Sequence, residues 1–353
     1  MGKNGMEVRR EKNQPEPDAG WCGTGMSRLS DAKKGGVKKV AFEVPKITYS
    51  GKVREIKLGK GEKAVTVGGE ASYPYYLFEG EVPCEPRIAM EVYDAPPEEW
   101  PEAVLEPFKD VVNDPVAWAK KCVEEYSAEM IALQLISTDP NGLNKSAEEA
   151  AKMTKKVAEA VDVPLIVWGS GSEEKDIDVL GRVSEECEGK NLIVGPLVES
   201  NYKQIGARTI GYKHTAIAST SIDINLAKQL NILLGNLGVP DEQIIVDPTV
   251  GGLGYGIEYT YSVMERIGMA ALTQEDERLQ FPLLCNMGKE VWKIKEVTIP
   301  EEEDPKLGDA KKRGILWEAI TAMLLLLAGA DVLIMRHPEA IKLVKGMIKD
   351  LRA

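Results

Sequence analysis

The stretch from Met130 to Trp168, MIALQLISTDPNGLNKSAEEAAKMTKKVAEAVDVPLIVW, decides the fold. It opens with an apolar run, Met130–Ile136, that shows no alternation of polar and apolar residues. A turn-forming segment follows, Ser137-Thr138-Asp139-Pro140-Asn141-Gly142. Ala147–Val161 then repeats apolar residues at helical spacing, with Asn144 or Ser146 placed to cap it. A second apolar run, Pro164–Trp168, closes the stretch. Strands covered on both faces read as unbroken apolar runs, and a helix between two of them is the connection that parallel strands require.

The same unit recurs on either side. Strand-like runs stand at Ile88–Val92, Leu192–Val194, Thr215–Ala218, Gln243–Val246, Pro282–Cys285 and Val332–Met335. Helical patterns lie at Pro115–Tyr126, Glu174–Glu186, Tyr202–Thr209, Ile222–Leu237, Glu258–Met269, Gly314–Ala328 and Pro338–Asp350. Ser172, followed by Glu173 and Glu174, opens one helix, and Pro338 occupies a first helical position in another. Eight sequential strand–helix units over about 260 residues predict an α/β fold, a closed (β/α)8 TIM barrel, in preference to a doubly wound sheet. The aromatic and Met residues of Tyr259–Met264 and Trp317–Leu327 are expected to pack on the barrel.

The barrel is assigned to residues 87–353. Residues 1–38 are rich in Lys, Glu, Gly and Asn without apolar periodicity and read as a flexible tail. Residues 39–86 carry short alternating runs, Ala41–Tyr49, Lys52–Leu58, Ala64–Val67 and Tyr75–Glu79, punctuated by Gly51, Gly59, Gly61, Gly68 and Gly69. They read as an N-terminal β-hairpin arm.

Composition excludes several functions. The 353 residues include 44 Lys and Arg against 56 Asp and Glu, a net charge of −12, which argues against nucleic acid as a partner. The longest apolar stretch, Ala319–Ala330, lies between Glu318 and Asp331 and is too short for a membrane span. The polar N-terminus lacks a signal-peptide pattern, so the expected location is cytoplasmic. Cys22, Cys84, Cys122, Cys187 and Cys285 are odd in number and widely spaced, which predicts neither a disulfide framework nor a metal or iron–sulfur centre on this chain.

A barrel of this kind places function on the loops after its strands. Those loops carry Ser137–Gly142, Gly169–Ser172, Glu199 with Asn201 and Tyr202, Ser219–Ser221, Asp247–Gly256, Asn286 with Met287, and Arg336 with His337. The face is rich in small, neutral hydrogen-bonding groups and suits a large polar organic ligand or another protein. The glycines after Val250 do not fit G-x-G-x-x-G and are read as a turn that permits close approach. Asp139 and Asp247 each precede a proline, a common turn opening. His214 starts a strand and is assigned a structural role; His337 stands at the functional end without a second ligand nearby. No nucleophile, acid–base pair or metal set is legible on this face, as suits a subunit that shields a cofactor held by a partner.

Longer motifs add a family resemblance. Phe78–Glu81, Ile224–Leu233, Asp247–Tyr259, Gly314–Ala319 and Met335–Ala340 resemble the small (delta) subunit of the corrinoid iron–sulfur protein of the acetyl-CoA decarbonylase/synthase (carbon monoxide dehydrogenase) system. The resemblance runs from about residue 64 to the C-terminus. It implies a barrel like that of pterin-binding methyltransferases, paired as a heterodimer with a large corrinoid iron–sulfur subunit. The corrinoid (cobalamin) would be shared at the interface, and a four-iron cluster would sit on the partner. Together the two would carry a methyl group between methyl-tetrahydropterin and acetyl-CoA synthase, meeting the methyltransferase and the synthase transiently. The contacts expected on this chain are Asp139, Ser170, Asn201, Tyr202, Thr249, Gly252, Gly254, Asn286, Arg336 and His337, none catalytic and none a metal ligand. The D-x-H-x-x-G cobalt-ligating motif is absent, so His337 is not expected as an axial ligand. Two alternatives stay open: a free-standing pterin-dependent methyltransferase using Asp139, Asp247 and Asn286, and a scaffold subunit.

Overall fold

A computed structural model describes residues 43–98 and 100–353. The tail expected over residues 1–38, with Cys22, lies outside the described residues, as do the first residues of the arm. Two short strands, β1 (Ile56–Leu58) and β2 (Val65–Val67), pair antiparallel with Ile56 opposite Val67. The barrel then runs β3 (Arg87–Tyr93), α1 (Glu102–Leu105), α2 (Pro115–Glu124), β4 (Met130–Gln134), α3 (Ala147–Ala160), β5 (Leu165–Trp168), α4 (Glu173–Glu186) and β6 (Ile193–Leu197). It continues with α5 (Tyr202–Tyr212), β7 (Thr215–Ser219), α6 (Ile224–Leu237), β8 (Ile244–Asp247), α7 (Ile257–Thr273) and β9 (Leu283–Asn286). After β9 come α8 (Gly288–Trp292), α9 (Lys295–Thr298) and α10 (Ala310–Leu327), then β10 (Ala330–Met335) and α11 (Pro338–Arg352). Strands β3 to β10 pair in parallel and close, β10 against β3.

The helix starts follow from local chemistry. Ser146 accepts a hydrogen bond from the Glu149 N–H, and Glu149 reaches back to the Ser146 N–H at 2.9 Å, a complete capping box on α3. Pro338 opens α11 behind His337, whose Nδ1 accepts from the Glu339 N–H. Ser172 stands before α4 without a capping bond; Asp176, inside the helix, instead ties the preceding loop to it, accepting from the Ser170 and Gly171 N–H groups at 2.9 Å each.

The unbroken apolar runs serve two cores. Residues of one parity, such as Met90, Leu133, Val167 and Leu333, pack outward on the helices. Their neighbours Ala89, Ala132, Ile166, Ile193, Ile217, Ile245, Leu284 and Ile334 point inward and fill the barrel. Ile56, Leu58 and Val67 of the arm join that inner core, each at most 1% exposed. The arm therefore plugs the end where the strands begin. It is tied there by the Asn191 side-chain amide on the Gly59 carbonyl (2.7 Å), by Arg54 N–H on the Gln280 carbonyl (3.0 Å) and by Gly51 N–H on the Leu272 carbonyl (2.8 Å). A Cβ at Gly51 would lie 2.0 Å from the Ala271 carbonyl oxygen, so only glycine lets the arm come this close.

The structure departs from expectation in places. The arm holds a single two-stranded ladder among the described residues. Residues 43–49 form no strand, and Tyr75–Glu79 is a series of turns with Tyr75 at φ 62°. The alternation there has no neighbouring strand to pair with; Tyr76 and Phe78 instead pack on each other with both half exposed. On the helices, Met264 is buried as expected, whereas Tyr259 is 65% exposed and Leu316 and Ile320 face outward. Those helices are apolar on more sides than the single face the barrel covers. Among the described residues no helix is long and apolar enough to cross a membrane.

Candidate functional site

The inward parity that is apolar at the start of each strand becomes polar at its end. Inward residues toward the strand ends include Glu91 and Tyr93, Gln134, Trp168, Ser219, Asp247 and Asn286, with Arg336 just after β10. Strand register sets Tyr93 beside Gln134, Gln134 beside Trp168, and Ser219 beside Asp247, so these side chains form one layer across the barrel mouth. Gln134 donates from Nε2 to Asn286 Oδ1 at 3.4 Å, spanning β4 and β9. Asp247 accepts from the Ser219 hydroxyl at 2.6 Å and from the Thr249 N–H at 3.0 Å. Burial pushes the Asp247 carboxyl up to about 6, against the pull of those two bonds.

A second cluster braces the mouth. Arg336 is only 3% exposed and pairs with fully buried Glu91, donates from Nη2 to the Tyr93 hydroxyl at 2.5 Å, and lies 4.4 Å over the Trp100 ring. Glu318, within apolar α10, accepts from the backbone N–H groups of Arg336 (2.6 Å) and His337 (3.1 Å) and from Trp292 Nε1 (3.0 Å). Burial raises Glu318 to about 7. The His337 ring stacks on Trp292, and burial lowers its pKa to about 4. Asp94, also raised by burial, accepts from the Ser137 N–H at 2.9 Å and hydroxyl at 2.5 Å and so anchors the loop after β4.

The residues singled out from sequence divide between the mouth and its frame. Asn286 and Arg336 lie in the mouth layer, and Asp247 sits beside them. Thr249 is exposed at the rim with φ 59°, its hydroxyl donating to the Thr220 carbonyl at 2.5 Å. Ser170 is half-buried and donates to Asp176 at 3.0 Å. Asp139 accepts from the Asn141 N–H at 2.8 Å and organises its own turn. Asn201 is buried and accepts from the Val198 N–H at 2.8 Å; Tyr202 belongs to the outer core. His337 caps α11 and is fully buried. Gly252 and Gly254 lie in a loop closed by its own bonds, Tyr255 and Ile257 N–H both on the Gly252 carbonyl. A Cβ at neighbouring Gly251 would meet the Gly256 carbonyl at 2.6 Å, the close approach read from the sequence. His214 is buried before β7, its Nδ1 accepting from the Leu192 N–H.

Sequence reading missed Glu91, Gln134, Trp168 and Glu318. Three of them share a visible signal, a charged or amide side chain inside an otherwise apolar run, which a fold must either pair or turn into a cavity.

These features define a (β/α)8 barrel closed at one end and polar at the other. Its likeness among solved structures is to dihydropteroate synthase from Xanthomonas albilineans, with a TM-score of 0.52 over 85% of this chain and 98% of that one; at 13% identity the likeness is one of fold. Residues 55–349 match the family described as the CO dehydrogenase/acetyl-CoA synthase delta subunit, and this chain belongs to that family. It is similar to the acetyl-CoA decarbonylase/synthase complex subunit delta of Archaeoglobus fulgidus, 36% identical over 327 residues, covering 89% of this chain and 71% of the relative. The subunit delta of Methanothermobacter thermautotrophicus is also 36% identical, over 86% of this chain and 77% of that relative. Membership in this family makes the chain a subunit of a larger complex.

Proposed function

We propose that this chain is the small subunit of a corrinoid methyl carrier, its barrel mouth covering a corrinoid shared with a large corrinoid iron–sulfur subunit. The methyl group would pass between a methyl-tetrahydropterin and the acetyl-CoA synthase of the complex, and a four-iron cluster would belong to the partner. The observation that carries the reading is the mouth layer itself, with the Gln134–Asn286 amide pair beside the Ser219–Asp247 pair. A corrin ring is edged by primary amides and methyl groups. Amide, hydroxyl and carboxyl groups at one level, beside the half-buried Trp168 indole, match that edge.

The fit is to the ring edge and not to the metal. His337 is stacked on Trp292 and spends Nδ1 on the α11 cap, and His214 is buried before β7, away from the mouth. When bound, the corrinoid supplies the cobalt that carries the methyl group. Gln134 and Asn286 each offer a donor and an acceptor to amide side chains. Asp247, titrating near 6, accepts a hydrogen bond when ionised and donates one when protonated. Glu91 pairs with Arg336, so that buried guanidinium presents no unpaired charge to the mouth. Trp168 excludes water, which would otherwise quench a reduced, nucleophilic metal.

One observation favours a pterin-binding enzyme: Asp247 is held close to its titration point in the mouth. The Asp139 side chain, which that reading also needs, bonds within its own turn. Cobalt per mole of this chain, measured anaerobically after purification alone and after co-expression with the large subunit, tests the proposal. Values near zero alone and near one with the partner are expected. Near zero in both overturns the shared-corrinoid reading, and titration of the isolated chain with methyl-tetrahydropterin then separates enzyme from scaffold.

A further inference from the structure

At the opposite end of the barrel, two carboxyl groups meet. Asp331, the second residue of β10, is 7% exposed. Its Oδ2 accepts from the Leu283 N–H of β9 at 2.8 Å, and the backbone N–H of Gly68, just after β2, also faces it. Glu70, two residues further along the arm, brings its carboxyl into contact with that of Asp331. Among the described residues, Glu70 Oε2 is buried without a donor to it. The Glu70 carbonyl holds the Val53 N–H at 2.9 Å, so this residue ties the two ends of the hairpin together.

Among the described residues, the charges around the pair leave it without a close cation. Lys52 is engaged by Glu55 at 2.9 Å. Arg352 of α11 donates to the carbonyls of Val82 and Cys84 at 2.9 and 3.0 Å. Arg87 of β3 pairs with Glu129 at 3.1 Å. Both Lys52 and Arg352 pull Glu70 toward ionisation from a distance, while Glu55 adds negative charge nearby. The Cys84 and Cys285 thiols that also face the pair are pushed up by burial and bring no positive charge.

We propose that Glu70 and Asp331 share one proton, and that this proton latches the arm across the floor of the barrel, so that the arm loosens when alkaline pH removes it. The protonated oxygen donates to the opposing carboxylate. Loss of the proton to a solvent base breaks that O–H···O bond and leaves two carboxylates in contact. Burial, foremost, holds both groups above their ordinary range; the contact adds to this at Asp331, which lies well above it, and pulls Glu70 back down, so Asp331 keeps the proton and Glu70 accepts its hydrogen bond. Raised values mean that the stabilisation is complete at pH below the ordinary carboxylate range and is lost as pH rises through the folded-state value. The segment released carries Ile56, Leu58 and Val67, the apolar plug of the inner core.

Hydrogen exchange at the amides of residues 56–70 in the full chain, corrected for intrinsic rate between pH 6 and 9, tests the latch, with β4 amides as the control. In the unmodified chain, protection of the arm is expected to fall by up to about tenfold per pH unit through the transition, as one linked proton requires, while β4 stays protected. In Asp331→Asn and in Glu70→Gln, an amide N–H donates where the proton sat, and protection should stay flat across the range. Flat protection in the unmodified chain, an unchanged slope in both variants, or an arm unprotected at pH 6 in both variants overturns the proposal.

Discussion

The two ends of this barrel are built on the same strands and solve opposite problems. At the end where the strands begin, inward positions are Ile, Leu, Val, Met and Ala, and the arm adds Ile56, Leu58 and Val67 to exclude water. At the other end the same parity yields Glu91, Gln134, Ser219, Asp247, Asn286 and Arg336. The first end gains from burying apolar surface. The second keeps groups whose desolvation is costly and meets that cost with partners: Arg336 for Glu91, Ser219 for Asp247, Asn286 for Gln134. A barrel that separates its stabilising floor from its polar mouth leaves the mouth free to vary with function.

The largest single effect is expected from a residue at the mouth and would complicate that division. Glu91→Ala leaves the Arg336 guanidinium buried among Tyr93 and Trp100 without its carboxylate. Removing one member of a buried pair costs about 3–5 kcal/mol, and urea unfolding should reveal it. A loss below about 1 kcal/mol would mean that the strut is not desolvated in solution. At the floor, Leu58→Ala opens a cavity in the inner core and should cost about 2–5 kcal/mol in the same assay. A smaller loss there, with the arm still docked, would show that the plug is replaceable and that the stabilising end lies in the strands alone.

Which parts were legible follows from the same contrast. Apolar runs of strand length between helical periods left little room for anything but a parallel sheet, and all eight runs became barrel strands, β3 to β10. The arm was legible at Lys52–Leu58 and Ala64–Val67, where alternation found a partner strand, and misleading at Tyr75–Glu79, where it did not. Loop residues do lie after the strands, at the C-terminal end of the barrel, but their side-chain partners were not predictable. Asp139, Ser170 and Asn201 spend their polar atoms on nearby backbone or side-chain groups, a local competition that sequence spacing cannot resolve. The mouth layer was hidden in the strands. Glu91 and Gln134 lie inside runs read only for their apolar character, and their meaning appears once the closed barrel brings Gln134 to Asn286 and Glu91 to Arg336.

The pH dependence of the mouth is the next effect in size. Asp247 rises from an ordinary 3.8 to about 6 on folding. Its neutral form is thus favoured by the fold, and the stability it supports is full below pH 3.8 and lost as pH climbs through 6. Asp247→Asn should remove that slope, worth about 3 kcal/mol at most across the window. Urea midpoints at pH 4 and pH 7 check it. An unchanged difference between the two midpoints would assign the slope to the other buried carboxyls, Glu318, raised to about 7, and the Glu70–Asp331 pair.

The smallest stability effect is the most informative about function. Asn286 is half-buried, and its bond from Gln134 is long at 3.4 Å, so Asn286→Ala should cost no more than about 1 kcal/mol. If the mouth holds the edge of a corrin ring, the same variant should lower the cobalt retained by the complex with the large subunit while leaving the urea midpoint almost in place. Leu58→Ala should do the reverse, lowering the midpoint while cobalt retention per folded complex holds. A variant pair that moves both readouts together would mean that the two ends are mechanically coupled through the strands, and the division of labour between floor and mouth would have to be abandoned.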